Sequence, residues 1–175
     1  MFFEPVAEAL WFILPAYAAN GLAILARGKK PLDLGRKLGD RRRVFGDGKT
    51  FEGFFLGIFI ALIIALVQGT MQKAVAFPPG LNPVQMTPQL GLALGAGAML
   101  GDLAASFVKR RMGKEKGEPV LFLDQLDFIA GSLLLSSFIV SLSALHIILL
   151  AVLTMVLHRL TNLGAYKLRL KDRPY

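Results

Sequence analysis

Five apolar blocks dominate this 175-residue chain, at roughly residues 5–26, 51–72, 89–108, 124–144 and 145–166. Each is close to the ~20 residues that carry a helix across about 30 Å of hydrocarbon at 1.5 Å per residue. Lipid offers no partners to backbone amides, so each crossing segment must be helical. The run from Phe128 to Leu157 is almost unbroken, and a tight turn is expected around Ser141–His146, because a single helix of that length would overshoot the membrane. The expectation is an all-α integral membrane protein of about five transmembrane helices. It forms one domain over residues 1–175, since no linker is long enough to separate two. With no cysteine and two histidines, disulfide scaffolds and thiolate zinc sites are excluded.

The charges orient the chain. The 27–50 loop holds Arg27, Lys29, Lys30, Arg36, Lys37, Arg41, Arg42, Arg43 and Lys49. The 109–123 loop and the segment from Arg159 onward hold the rest of the basic residues, except Lys73. Lys and Arg accumulate on the cytoplasmic side, so both loops and the C-terminus are expected there, with the N-terminus outside. Ala16-Tyr17-Ala18 resembles a signal-peptidase site, but the chain opens Met-Phe-Phe-Glu with no basic n-region, and no cleavage is expected.

Ionisable side chains within spans are costly and usually functional. Asp102 lies seven residues before Lys109, among Gly91, Gly95, Gly97, Gly101, Ala104 and Ala105. Those small residues suit close helix packing, and they also leave space beside a carboxylate. Asp124 and Asp127 are spaced i, i+3 at the start of the fourth span and share a helix face. Acids at a helix start also favour its dipole. The third span ends where the fourth begins, so the three carboxylates can converge at the cytoplasmic boundary. Oxygen donors without histidine or cysteine point to magnesium, with manganese as the alternative.

Basic groups surround the same boundary: Lys109, Arg110 and Arg111 after Asp102, and Arg41–Arg43 with Lys49 from the first loop. Gly46-Asp47-Gly48-Lys49-Thr50 stands directly before a helix, where a lysine and a threonine suit phosphate oxygens. It is not a nucleotide P-loop: the motif requires glycine at position 43, which is arginine, and no strand precedes it. His158, Asn162 and Tyr166 share a face of the last span, where helix contacts and headgroup contacts are equally compatible with the pattern. Asn20 and Tyr17, near Pro15 in the first span, are open in the same way.

Carboxylates for a divalent ion, flanked by phosphate-binding cations at a membrane surface, suit phosphoryl chemistry on a lipid. A phosphate nucleophile is already ionised near neutrality and needs no histidine relay. Gly101-Asp102-Leu103, Ser106-Phe107-Val108-Lys109-Arg110 and Asp124-Gln125-Leu126-Asp127 together resemble the signature of the CDP-diacylglycerol synthase family, G-D-L-x-x-S-x-x-K-R followed by D-R-[LI]-D. Gly48-Lys49-Thr50-Phe51-Glu52-Gly53 resembles that family's upstream P-G-K-T-x-E-G segment, and residues from Pro31 to Thr50 look like its archaeal branch, the CDP-archaeol synthases. The likeness covers about 31–55 and 95–130. It departs where Gln125 replaces arginine and where Glu118–Phe122 replaces a His-Gly-Gly stretch.

The resemblance implies CMP transfer from CTP to an unsaturated isoprenoid ether lipid phosphate, with pyrophosphate released. It assigns Asp102, Asp124 and Asp127 to magnesium, and Lys49, Thr50, Lys109 and Arg110 to the CTP phosphates, with Ser106 and Asp47 in support. The implied setting is a cell membrane, with the active site facing the cytoplasm and no nucleic-acid partner. Small-residue helix faces leave room for a homodimer. A CDP-alcohol phosphotransferase would need its final aspartates four apart rather than three, and a transporter would need polarity on the outer halves of several spans.

Overall fold

The computed structural model describes residues 3–115, 118, 120 and 122–167, with the side chains of His158 and of residues 161–167 outside that set. Among these residues the chain is helical with no named strand. Helix α1 runs Phe3–Leu22 and continues as a 3-10 turn, Ala23–Ala26; α2 is Phe51–Ala74, α3 Pro88–Arg111, α4 Leu123–Ser136 and α5 Ala144–Lys167. Three of them, α1 with its 3-10 extension, α2 and α3, are each 24 residues and apolar enough to cross a membrane.

Local signals set the helix starts. Thr50 caps α2 by accepting from the Gly53 amide at 3.2 Å, and Thr87 caps α3 by accepting from Leu90 at 3.2 Å, with Pro88 following where its missing amide costs nothing. The interruption of the last apolar run lies earlier than expected, over 137–143 instead of around Ser141–His146. Serine explains it. Ser136 and Ser137 turn their hydroxyls back onto the carbonyls of Leu133 and Leu134, and the Ile139 and Val140 amides both close on the Ser136 carbonyl. Helix α4 therefore has 14 residues, about 21 Å of length.

Small side chains let the helices approach closely. Gly97 and Gly101 of α3 lie directly against the backbone of α4 at Gly131 and Asp127, where no Cβ could be accommodated. Gly91 and Gly95, on another face of α3, meet Ala65 and Ala61 of α2. The glycine spacing is thus absorbed by packing within the chain, and α3 with α4 forms its most extensive helix pair. Phe12, Ile13, Leu90, Leu94 and Leu150 fill the centre, while Phe55, Phe59, Phe138 and Ile148 face outward, as they can when the surroundings are as apolar as the core.

Several buried polar groups are paired across helices. Pro15 has no amide for the Trp11 carbonyl, and Gln68 of α2 donates to that carbonyl at 2.7 Å. Tyr17 and Thr154 share a hydrogen bond of 2.6 Å between α1 and α5. At the end of the bundle remote from the basic loops, Glu8 accepts from the Asn82 amide and lies 3.1 Å from His146. Gln72 clamps the same 75–87 segment through Val84 and Met86. Polarity is therefore present at both ends of the bundle, a distribution that hydropathy along the chain does not show.

Candidate active site

The 27–50 loop carries nine basic residues, yet it is folded around one buried acid. The Asp33 side chain is fully shielded from solvent. Its two oxygens accept from the Arg43 guanidinium at 2.5 and 3.2 Å, and from the amides of Gly35, Phe45 and Gly46. Burial alone would raise the Asp33 carboxyl. The guanidinium and the three amides overcome that and hold it well below the usual carboxylate range. Arg43 also pairs with Asp47 at 2.6 Å. Both ends of the Gly46–Lys49 turn are consequently fixed, one by Asp33 and the other by the Thr50 cap of α2.

Two further ties hold the loop on the helices. Glu52 reaches back to the amides of Lys29 and Lys30, and Gly28 sits so close to the Thr50 hydroxyl that a Cβ would collide with it. From α3, Arg111 binds Asp40 at 2.7 Å and the Arg43 carbonyl, while Arg42 donates to the Arg111 carbonyl at 2.9 Å. Sequence reading placed Arg43 and Arg111 among the basic groups at this boundary without a partner for either, and gave Asp33 and Gly28 no role in holding the loop. Only the Asp33-x-Gly35 spacing, suited to an Asx turn, signalled one of them.

These ties bring Lys49 onto Asp102. The ammonium lies 2.6 and 2.5 Å from the two carboxylate oxygens, and both side chains are about one-quarter exposed. A parallel pair forms across the α3–α4 connection, where Lys109 meets both oxygens of Asp124 at 2.9 and 3.0 Å. Asp124 also accepts from the Val120 amide. Asp127 has no ion-pair partner among the described residues, and its Oδ1 accepts from the Phe128 amide. It is brought beside Asp102 by the contact of Gly101 with the Asp127 carbonyl. The charges of Asp102, Asp124 and Lys49 all act on it.

Two cavities flank the Gly46–Lys49 turn. One, of about 380 Å³, lies between the end of α1, the loop, α2 and α3, and is lined by Asn20, Arg27, Asp47, Lys49, Thr50 and Asp102 among others. The second, of about 470 Å³, is strongly basic, with Lys37, Arg41, Arg42, Arg43, Arg110 and Lys114. Asp47 borders both. Volumes of this order suit small-molecule ligands. Of the residues expected from sequence, Lys49, Thr50, Asp47 and Asp102 meet at the first cavity and Arg110 lines the second. Ser106 is buried in α3 and lines neither, and Lys109 is engaged with Asp124. Asn20, left open by sequence, is a cavity residue; the side chains of His158, Asn162 and Tyr166 lie outside the described residues.

The donors suit a hard divalent cation in type, being carboxylate oxygens without sulfur or imidazole. In arrangement they are not a ready-made cage. Among the described residues no three acidic or imidazole side chains are gathered closely enough to hold an ion, and two of the three carboxylates have both oxygens engaged by lysine.

Comparison with known proteins bears on what this arrangement does. A family model described as CarS-like, CDP-archaeol synthase, matches residues 2–175. The CDP-archaeol synthase of Methanopyrus kandleri is 44% identical over 172 residues, covering 97% of this chain and 94% of its own. That of Pyrococcus abyssi is 37% identical, covering 98% and 99%. A solved structure described as an intramembrane enzyme for archaeal membrane lipids biosynthesis superposes with a TM-score of 0.72. It is 37% identical and covers 90% of this chain and 94% of its own.

Proposed function

The chain belongs to the CDP-archaeol synthase family, and from that premise we propose that it transfers CMP from CTP to the phosphate of an unsaturated archaetidic acid, 2,3-bis-O-geranylgeranylglycerol 1-phosphate. An oxygen of the lipid phosphate attacks the α-phosphorus of CTP in line. The bond from that phosphorus to the α–β bridging oxygen breaks, and pyrophosphate departs carrying its charge. The observation that carries this reading is the meeting of Lys49, Thr50 and Asp102 at one cavity beneath a basic loop. A phosphate-binding helix start and a carboxylate there serve the same small space.

In this reading Lys49 and the amide end of α2 hold phosphate oxygens. Lys109 and Arg110 with the second, basic cavity offset the charge of the triphosphate and of the departing pyrophosphate. Asp47, which borders both cavities, supports that side; Ser106 lines neither and is left without a nucleotide contact in this reading. Asp102, Asp124 and Asp127 would hold magnesium or manganese, which when bound supplies charge neutralisation on the phosphates. The lipid chains lie against the outward apolar faces of the helices. The chain crosses a cell membrane five times as one domain, N-terminus outside, with both cavities open to the cytoplasm. The gathering of basic residues in the two loops at one end of the bundle supports that orientation.

The test is pyrophosphate release from CTP by the purified chain in detergent with magnesium and the geranylgeranyl ether phosphate. Parallel reactions contain ATP, diester phosphatidic acid, or an Asp127→Asn variant. Turnover that needs both CTP and lipid and disappears in the variant is the expected result. No turnover with any lipid phosphate refutes the reading.

A further inference from the structure

A divalent ion of magnesium size takes carboxylate oxygens at about 2.0–2.1 Å. The Lys49 ammonium, at 2.6 and 2.5 Å from the two oxygens of Asp102, occupies the face of the carboxylate that such an ion would use. Both cations cannot hold that face at once, because they would stand within a few ångströms of each other with like charge. The pair is about three-quarters buried on both sides, so a displaced ammonium needs another anion close by. Among the described residues no other acid touches the ammonium: Asp47, which also lines that cavity, is engaged by Arg43, and Asp127, near enough for the Lys49 charge to act on it, makes no ion pair with it and is itself a candidate metal ligand. Lys109 repeats the arrangement on Asp124, again touching both oxygens.

From this geometry we infer that Lys49 is a resident counterion that holds the place of the divalent cation on Asp102 until an anionic nucleotide draws it away, so that metal and nucleotide load together. The inference rests on the cytidylyltransferase reading for the identity of the arriving anion. When the triphosphate enters the cavity it provides the ammonium with phosphate oxygens in exchange for the carboxylate. Asp102 is then free to accept the metal that accompanies the nucleotide. By thermodynamic reciprocity, whatever the nucleotide contributes to metal affinity the metal returns to nucleotide affinity. Lys49 thereby serves two anions in turn, and the protein alone has little hold on the metal.

The decisive measurement is Mn²⁺ binding to the full chain in detergent without nucleotide, read as loss of the free Mn²⁺ electron paramagnetic resonance signal. Lys49→Met keeps much of the side-chain length and removes the ammonium. It is expected to tighten Mn²⁺ binding about tenfold or more, the scale on which groups hydrogen-bonded to metal ligands act. Adding Asp102→Asn to that variant is expected to abolish the gain. Lys30→Met removes an equal charge from an ammonium resting over the Phe51 ring, away from the candidate ligands, and is expected to leave binding as in the unaltered chain. An unchanged affinity in Lys49→Met overturns the inference, as does an equal gain in Lys30→Met. If Lys49→Met fails to fold, Lys109→Met with Asp124→Asn provides the same comparison at the second pair. CTP turnover in the unaltered chain with no Mn²⁺ gain in the variants overturns this inference alone. A gain in a chain that never turns over CTP refutes the cytidylyltransferase reading and leaves the counterion exchange standing.

Discussion

Replacing Asp33 by asparagine tests whether one buried acid organises the basic loop. Oδ1 accepts from the Gly35 amide and one guanidinium nitrogen, and Oδ2 accepts from a second guanidinium nitrogen and the amides of Phe45 and Gly46. An asparagine amide group must therefore face at least two N–H donors whichever way it is turned. Two hydrogen bonds to a charged acceptor are lost, at about 1.5–3 kcal/mol each. Even the low end, about 3 kcal/mol, raises the population of an opened loop on the order of a hundredfold. The helices do not depend on Asp33, so the opening is local.

The assay is limited trypsin cleavage at Arg41–Arg43 in detergent, alongside far-ultraviolet circular dichroism. Cleavage is expected to accelerate by that order while the helical signal is retained, and the KM for CTP is expected to rise. The pH dependence follows from the depressed Asp33 carboxyl. A group whose value is lowered on folding stabilises fully above its unfolded value, near 3.9, and loses that contribution as pH falls toward its folded value. Hydrogen-exchange protection of the Phe45 and Gly46 amides, corrected for intrinsic rates, should therefore be flat from pH 8 to 5 and decline below about pH 4. Unchanged cleavage and KM in Asp33→Asn would refute the reasoning.

Two other substitutions probe the scaffold. Gly101→Ala places a methyl group against the Asp127 carbonyl; overpacking of about 1–3 kcal/mol should lower the melting temperature in detergent and reduce turnover, because Asp102 and Asp127 move apart. Tyr17→Phe removes the 2.6 Å bond to Thr154 at a cost of about 0.6–2 kcal/mol; a lower melting temperature with an unchanged KM for CTP is expected, since neither residue lines the described cavities.

Much of the candidate site was legible because its chemistry is local in sequence. Asp102, seven residues from Lys109, and the pair Asp124 and Asp127 are conspicuous as charges at the edges of apolar runs, and Lys49-Thr50 is conspicuous as a helix start. The break between α4 and α5 was misplaced because hydropathy does not register serine hydroxyls that turn back onto their own helix. Asp33 was not recognised as a hub, because its partners Arg43, Phe45 and Gly46 are ten or more residues away and its charge is unremarkable in a polar loop.

The linear order of residues already specifies that this chain is helical and membrane-embedded, and which end of the bundle carries the basic loops, because apolar run length and the distribution of lysine and arginine are one-dimensional quantities. It also fixed the residue types available at the site. Which cation faces which carboxylate is settled only by how the helices pack. Lys49 meets Asp102 across 53 positions, and Asp127 stands beside them only because Gly101 lets two helix backbones touch. Pairing of that kind depends on helix rotation and separation at the scale of one methyl group, and no spacing along the chain encodes it.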